Sequence, residues 1–194
     1  GLAESCVYVC DGGHGVLRVE REAFERDEVK AVEWVDCVSG QVQPAEKPAE
    51  EKVRFEKKNE EKDAEEKGAE KKAEPVSLFS CGDVEKNKDV IIRIVREGRD
   101  VGTDRVGEIF VSSPSLAKGY YPDHTESFTN HIEGDPHLFL STGDLGFIHE
   151  HQLFVCGRSK DLIIIHGKNH YPQDIEYSCH AVKEVKQGSV AAFD

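Results

Sequence analysis

From Pro44 to Pro75 the chain reads PAEKPAEEKVRFEKKNEEKDAEEKGAEKKAEP, with 11 acidic and 9 basic residues and, beyond Val53 and Phe55, almost nothing apolar to bury. A segment of this composition cannot offset the entropy of ordering itself by burial. Any core must therefore be assembled from the text on either side of it. Its Glu and Lys residues recur at i,i+4, which suits a solvated helix interrupted at Gly68, so an exposed insertion, flexible or transiently helical, is expected. The chain as a whole is 194 residues long and 38% apolar, which is enough for one ordinary domain or a slice of a larger one. The tract's own charges nearly cancel, so most of the formal net charge of -13 lies in the foldable text. That balance disfavours a nucleic-acid backbone as partner. No apolar run approaches the roughly 20 residues of a membrane helix. The opening Gly1-Leu2-Ala3-Glu4-Ser5 lacks the basic-then-apolar layout of a signal peptide. A soluble, untargeted, cytoplasmic chain is expected.

The sequence holds no methionine, and it opens and closes inside apolar text, Val190 to Asp194 at the far end; a piece of a longer protein is expected. Cysteines at 6, 10, 37, 81, 156 and 179 form no CxxC pair, and the close pair Cys6 and Cys10 has no zinc spacing, so reduced thiols are expected. Ser5 to Cys10 reads as a strand ending at a turn, Asp11-Gly12-Gly13. Val90 to Val95 and Val106 to Ser112 read as strands around the hairpin-like loop REGRDVGTDR. Phe139-Leu140, Gly146 to His149 and Leu153 to Cys156 continue as short strands around turns, giving a β-rich antiparallel subdomain. Near residue 160 the pattern changes. Leu162 to Ile165 is a continuous apolar run, and Pro172 to Val185 predicts a helix with Ile175, Cys179 and Val182 on one face. Ser189 to Phe193 reads as a further strand. The fold class expected is α+β. The histidines at 149, 151, 166, 170 and 180 make no metal-ligand pattern, and Cys179 lacks the partners of a thiol nucleophile.

Four stretches stand out together: Gly1 to Glu4 (GLAE), Val106 to Phe128 (VGEIFVSSPSLAKGYYPDHTESF), Ser141 to Leu145 (STGDL), and Gly157 to Glu176 (GRSKDLIIIHGKNHYPQDIE). In order and wording they resemble the adenylate-forming superfamily of acyl-CoA synthetases, peptide-synthetase adenylation domains and luciferases. Within it, GLAE, KDLIII and NHYPQDIE resemble the fatty acyl-AMP ligases, which also carry a long insertion after GLAE, here residues 11 to 80. The resemblance implies that residues 1–158 close the large AMP-binding domain, 159–161 form a hinge and 162–194 begin the small α+β C-terminal domain.

It further implies a ligase that joins a fatty acid to AMP with ATP and Mg²⁺. The acyl group would then pass to an acyl carrier protein or a polyketide synthase carrier domain, with coenzyme A as the alternative acceptor. Gly1, Leu2 and Ala3 would line the adenine and α-phosphate, and Glu4 would help hold Mg²⁺. Asp144 would accept hydrogen bonds from the ribose hydroxyls, with Arg158 completing the nucleotide contact. Lys160 would be the hinge residue, and Gly167 would let backbone approach the acceptor's tunnel. Many CoA-using relatives carry a lysine four residues after the hinge, where this chain has Ile164. The family's phosphate-binding loop and its adenylating lysine fall outside the sequence, so this piece alone is expected to be inactive. The rival readings are a long-chain acyl-CoA synthetase and a catalytically silent adenylate-forming fold that binds lipid or acts as a scaffold.

Overall fold

A computed structural model of the chain describes residues 10–44, 74–122, 124–179, 182–186 and 188–193. The expected strand Ser5 to Cys10 lies outside them apart from Cys10, and so does most of the charged tract. The elements in chain order are β1 (Asp11–Gly12), β2 (Gly15–Val19), α1 (Arg21–Phe24), β3 (Ala31–Asp36), β4 (Val42–Pro44), β5 (Val76–Asp83), β6 (Ile91–Arg96) and β7 (Arg99–Asp100). There follow β8 (Gly107–Ser112), β9 (Leu140–His149), β10 (Gln152–Arg158), β11 (Ile163–Ile165), β12 (Lys168–His170) and α2 (Pro172–Cys179).

Among the described residues, ten strands form one sheet in the order β4-β3-β2-β5-β10-β9-β8-β6-β7, with β1 also paired to β5. Every pairing is antiparallel. The β-branched run of β6 and β8 is apolar on both sides because the sheet is covered on both. Ile109 and Val111 pack with Ile92, Ile94 and Leu153, while Phe110 faces Val95, Ile132 and Phe139. A third cluster is aromatic at its centre. Phe147 and Phe154 stack at 4.9 Å, Phe24 meets Phe147 edge-on at 6.3 Å, and Tyr171 stacks on Phe24 at 5.0 Å.

Four places depart from plain ladders. On β3, Val32 is an extra residue against β2, where Arg18 faces Glu33 and Val19 faces Ala31. On β5, Cys81 is an extra residue against β10, where Leu153 faces Gly82 and Phe154 faces Ser80. On β10, Cys156 is an extra residue against β9. On β9, Thr142, Gly143 and Asp144 all stand opposite Ile109 of β8, since Glu108 pairs with Leu145 and Phe110 with Ser141. Such bulges bend the strand and redirect side chains.

The structure corrects several expectations. Phe139-Leu140 and Gly146 to His149 are not separate short strands, because β9 runs unbroken through the Thr-Gly-Asp triplet as a bulge. Asp11 and Gly12 pair with Asp83 and Gly82 rather than turning. The helix stops at Cys179, and the described residues from 182 to 186 form turns. Residues 189–193 find no partner strand among the described residues, and without a ladder an apolar run is not a strand.

The turn between β9 and β10 is placed as expected, with Glu150 and His151 both at positive φ. His149 Nδ1 donates to Asp104 Oδ1 at 2.6 Å. That bond, against the opposing cost of burial, raises the His149 pKa above its ordinary value of 6.5, with Asp104 and Glu150 adding attraction. A raised folded-state pKa means that the stabilisation is fully present below the unfolded value, near pH ~6.5, and is lost as pH rises through the folded value. The thermal midpoint of the native chain should therefore exceed that of Asp104→Asn most at about pH 6, the gap narrowing by about pH 9. A gap equal at both pH values would refute the linkage.

Candidate functional site

The bulge on β9 and the end of β10 bring together Asp144 and Arg158, two of the residues singled out in the sequence. Gly143 sits at φ +73°, a conformation open to glycine and costly for residues with a Cβ, and it lets three residues crowd opposite one. Their backbone and hydroxyl groups are then taken up locally. Thr142 Oγ1 donates to the Ile109 carbonyl at 2.8 Å and accepts the Asp144 N–H at 3.1 Å. Glu108 Oε1 accepts the Gly143 N–H at 3.1 Å and the Ser141 hydroxyl.

On the other side, Arg158 is the Cα partner of Asp144 across the β9–β10 ladder, and its Nε donates to Asp144 Oδ1 at 3.1 Å. The Asp144 side chain is 22% exposed and that of Arg158 57%. One carboxylate is thus mostly enclosed while its guanidinium partner keeps donors toward solvent. A carboxylate offers lone pairs to a vicinal diol and an arginine offers planar donors to oxygen anions. Such an arrangement is suited to binding and orienting a polar ligand.

Immediately after Arg158 the chain makes a short 3-10 turn, Ser159–Asp161, which carries Lys160 exposed at the surface. Gly167 lies farther along, in the two-residue turn between β11 and β12, where His166 and Gly167 have φ of 52° and 75°. A Cβ on Gly167 would meet nothing within 4 Å, so the turn conformation, and no close packing, accounts for glycine there. Ile164 is 63% exposed on β11. Gly1, Leu2, Ala3 and Glu4 lie outside the described residues.

Sequence reasoning missed two features. One is Glu108, whose signal was a carboxylate inside the apolar run of β8. The other is the docking of residues 168–174 onto α1 and the turn after it. Lys168 Nζ reaches Glu25 at 2.9 Å, Asn169 Nδ2 donates to Asp27 Oδ1 at 2.6 Å, and Arg21 lies 3.6 Å from Asp174. Burial raises the pKa of Asp27 and of Asp174, opposed by Arg96 at the first and Arg21 at the second. A cleft of about 290 Å³ opens between these elements. The Tyr171 hydroxyl, buried beside it, has no hydrogen-bond partner among the described residues. No group of three or more His, Cys, Asp or Glu among the described residues could hold a metal ion, and no described helix is long and apolar enough to cross a membrane.

No family model matches the chain. Over 184 residues it is 36% identical to the medium-chain-fatty-acid–[acyl-carrier-protein] ligase JamA of Moorena producens, covering 91% of this chain and 25% of that protein. A solved fatty acyl-adenylate ligase, from work on the E. coli and L. pneumophila enzymes, matches all of this chain and 28% of its own, at 30% identity and a TM-score of 0.68. The L. pneumophila fatty acyl-adenylate ligase in complex with acyl adenylate and pyrophosphate matches all of this chain and 29% of its own, at 32% identity and a TM-score of 0.56. The chain spans about a quarter of the length of the proteins it matches.

Proposed function

The chain belongs with the adenylate-forming ligases, and on that footing we propose that the full-length protein activates a fatty acid with ATP and delivers it to the thiol of a carrier protein. In the first step an oxygen of the fatty carboxylate attacks the α-phosphorus of ATP. A P–O bond forms to the acyl group, the bond to the β-phosphate breaks, and pyrophosphate leaves. In the second step the carrier's thiolate attacks the acyl carbon and AMP leaves.

The observation that carries this reading is the Asp144–Arg158 pair, fixed across two central strands at 3.1 Å. Asp144 accepts hydrogen bonds from the ribose hydroxyls and Arg158 donates to the nucleotide from the same side. The backbone of Gly1 to Ala3 would line the adenine and α-phosphate. Glu4 would help hold Mg²⁺, which would neutralise charge on the phosphates. Lys160, in the turn that ends β10, is the hinge between a large domain through residue 158 and a small domain from residue 162, and Gly167 lies where the acceptor's arm passes. A carrier-protein acceptor is favoured over CoA by Ile164, which stands where CoA-using relatives carry lysine.

ATP–pyrophosphate exchange with medium- to long-chain fatty acids tests the first step, using the full-length protein with the 194-residue chain as control. Exchange is expected from the former alone. A well-folded full-length protein that fails to exchange across several chain lengths would overturn the proposal. Supplying CoA and carrier protein in parallel then reads the acceptor, and rapid formation of the CoA thioester would reassign it.

A further inference from the structure

We propose that Glu108 is the positioning residue for the nucleotide's ribose: it fixes the bulge that aims Asp144, and so sets how well the hydroxyls are held. The inference rests on the reading of Asp144 as the ribose acceptor and deepens it.

On the β8 side, a three-against-one bulge leaves Thr142, Gly143 and Asp144 without regular ladder partners, and backbone groups left unpaired away from water are costly. The structure supplies replacements from β8 and from within the bulge itself. Glu108 receives the Gly143 N–H and the Ser141 hydroxyl, and the Ile109 carbonyl receives Thr142. Asp144 follows directly, its own N–H held by Thr142 Oγ1. The acceptor carboxylate is therefore suspended between two anchors, Glu108 through the bulge on the β8 side and Arg158 through the ion pair on the β10 side.

A half-buried carboxylate in a central strand costs desolvation that a neutral residue would not. Glu108 stands here with two donors on one oxygen, bonded to Ser141 and Gly143 of the bulge and not to Asp144 itself. A shift of an ångström in such a support is enough to misalign a bound group.

The test compares ATP with 2′,3′-dideoxy-ATP in pyrophosphate exchange by the full-length protein. The native enzyme should prefer ATP. Glu108→Ala should raise KM for ATP about tenfold or more, change kcat and the fatty-acid KM little, and largely erase the preference for ATP over the dideoxy nucleotide. Glu108→Gln keeps an oxygen able to accept both donors, so it should retain most of the preference and serves as the folding control. If Glu108→Ala weakens both nucleotides equally, or Glu108→Gln fails as badly as Ala, the inference is overturned. The underlying reading is checked separately with Asp144→Asn. If that variant still discriminates between the nucleotides as the native enzyme does, the assignment of Asp144 fails, whatever Glu108 does.

Discussion

Asp144→Ala in the full-length protein should lower ATP–pyrophosphate exchange by about 10²- to 10³-fold while leaving the fold intact. The size follows from what is lost. Hydrogen bonds to a charged acceptor contribute roughly 1.5–3 kcal/mol each, and two ribose hydroxyls ending on one carboxylate make a loss of about 3–4 kcal/mol reasonable, each ~1.4 kcal/mol being tenfold in rate. Alanine also leaves Arg158 without the partner that sits 3.1 Å from its Nε, so the guanidinium swings free and the second nucleotide contact weakens with the first. Stability should change little, because the partner in its ion pair, Arg158, is 57% exposed and the pair is partly solvated. Circular dichroism would check the fold beside the exchange assay. Exchange within about threefold of the native rate would remove Asp144 from the site.

The second large effect concerns the core. Phe154→Ala should destabilise the 194-residue chain by about 3–5 kcal/mol, a large part of the roughly 5–15 kcal/mol that holds a domain folded. Phe154 is 0% exposed, stacks on Phe147 and lies edge-on to Trp34 at 6.3 Å. Phe147 in turn supports Phe24 and through it Tyr171. The cavity left by alanine would open in the middle of this row, where strands of both halves of the sheet meet and cannot collapse inward without breaking ladders. Trp34 is the only tryptophan in the sequence, so its fluorescence reports the transition directly in urea. A free-energy change below about 1 kcal/mol would mean that the row relaxes far better than packed cores usually do.

What could be read from the residues alone was the part set by local pattern. The strands around Arg96 to Arg105 and the turn at Glu150 were legible because their apolar alternation and turn chemistry agree with the pairing they adopt. Thr142-Gly143-Asp144 was not, since the same three residues make a good turn or a good bulge, and the choice falls to Glu108 and Ile109 on a strand some 33 residues away. The helix after Pro172 kept its start, where proline favours the first turn, but ended early. Its apolar periodicity continued to Val185 without the packing that would extend it. Asp144 and Arg158 were singled out through wording shared with a family. That they are Cα partners across a ladder is a fact of register, which no single strand of text carries.

The charged tract leaves the sheet at its outermost strand, β4, and the chain returns three strands inward, at β5, with β3 and β2 between. Residues 10–44 are thus sewn to the remainder by noncovalent contacts as well as by the peptide link. Val16 to Val19 register against Phe79 back to Val76, and Leu17, Val19 and Phe24 share a cluster with Phe147 and Phe154. A protease cut within the tract severs no described hydrogen bond. The two pieces should then behave like a split protein whose halves recognise each other through the ladders of β1 and β2 with β5 and through the shared cluster, the nicked molecule travelling as a single species until denaturant parts it.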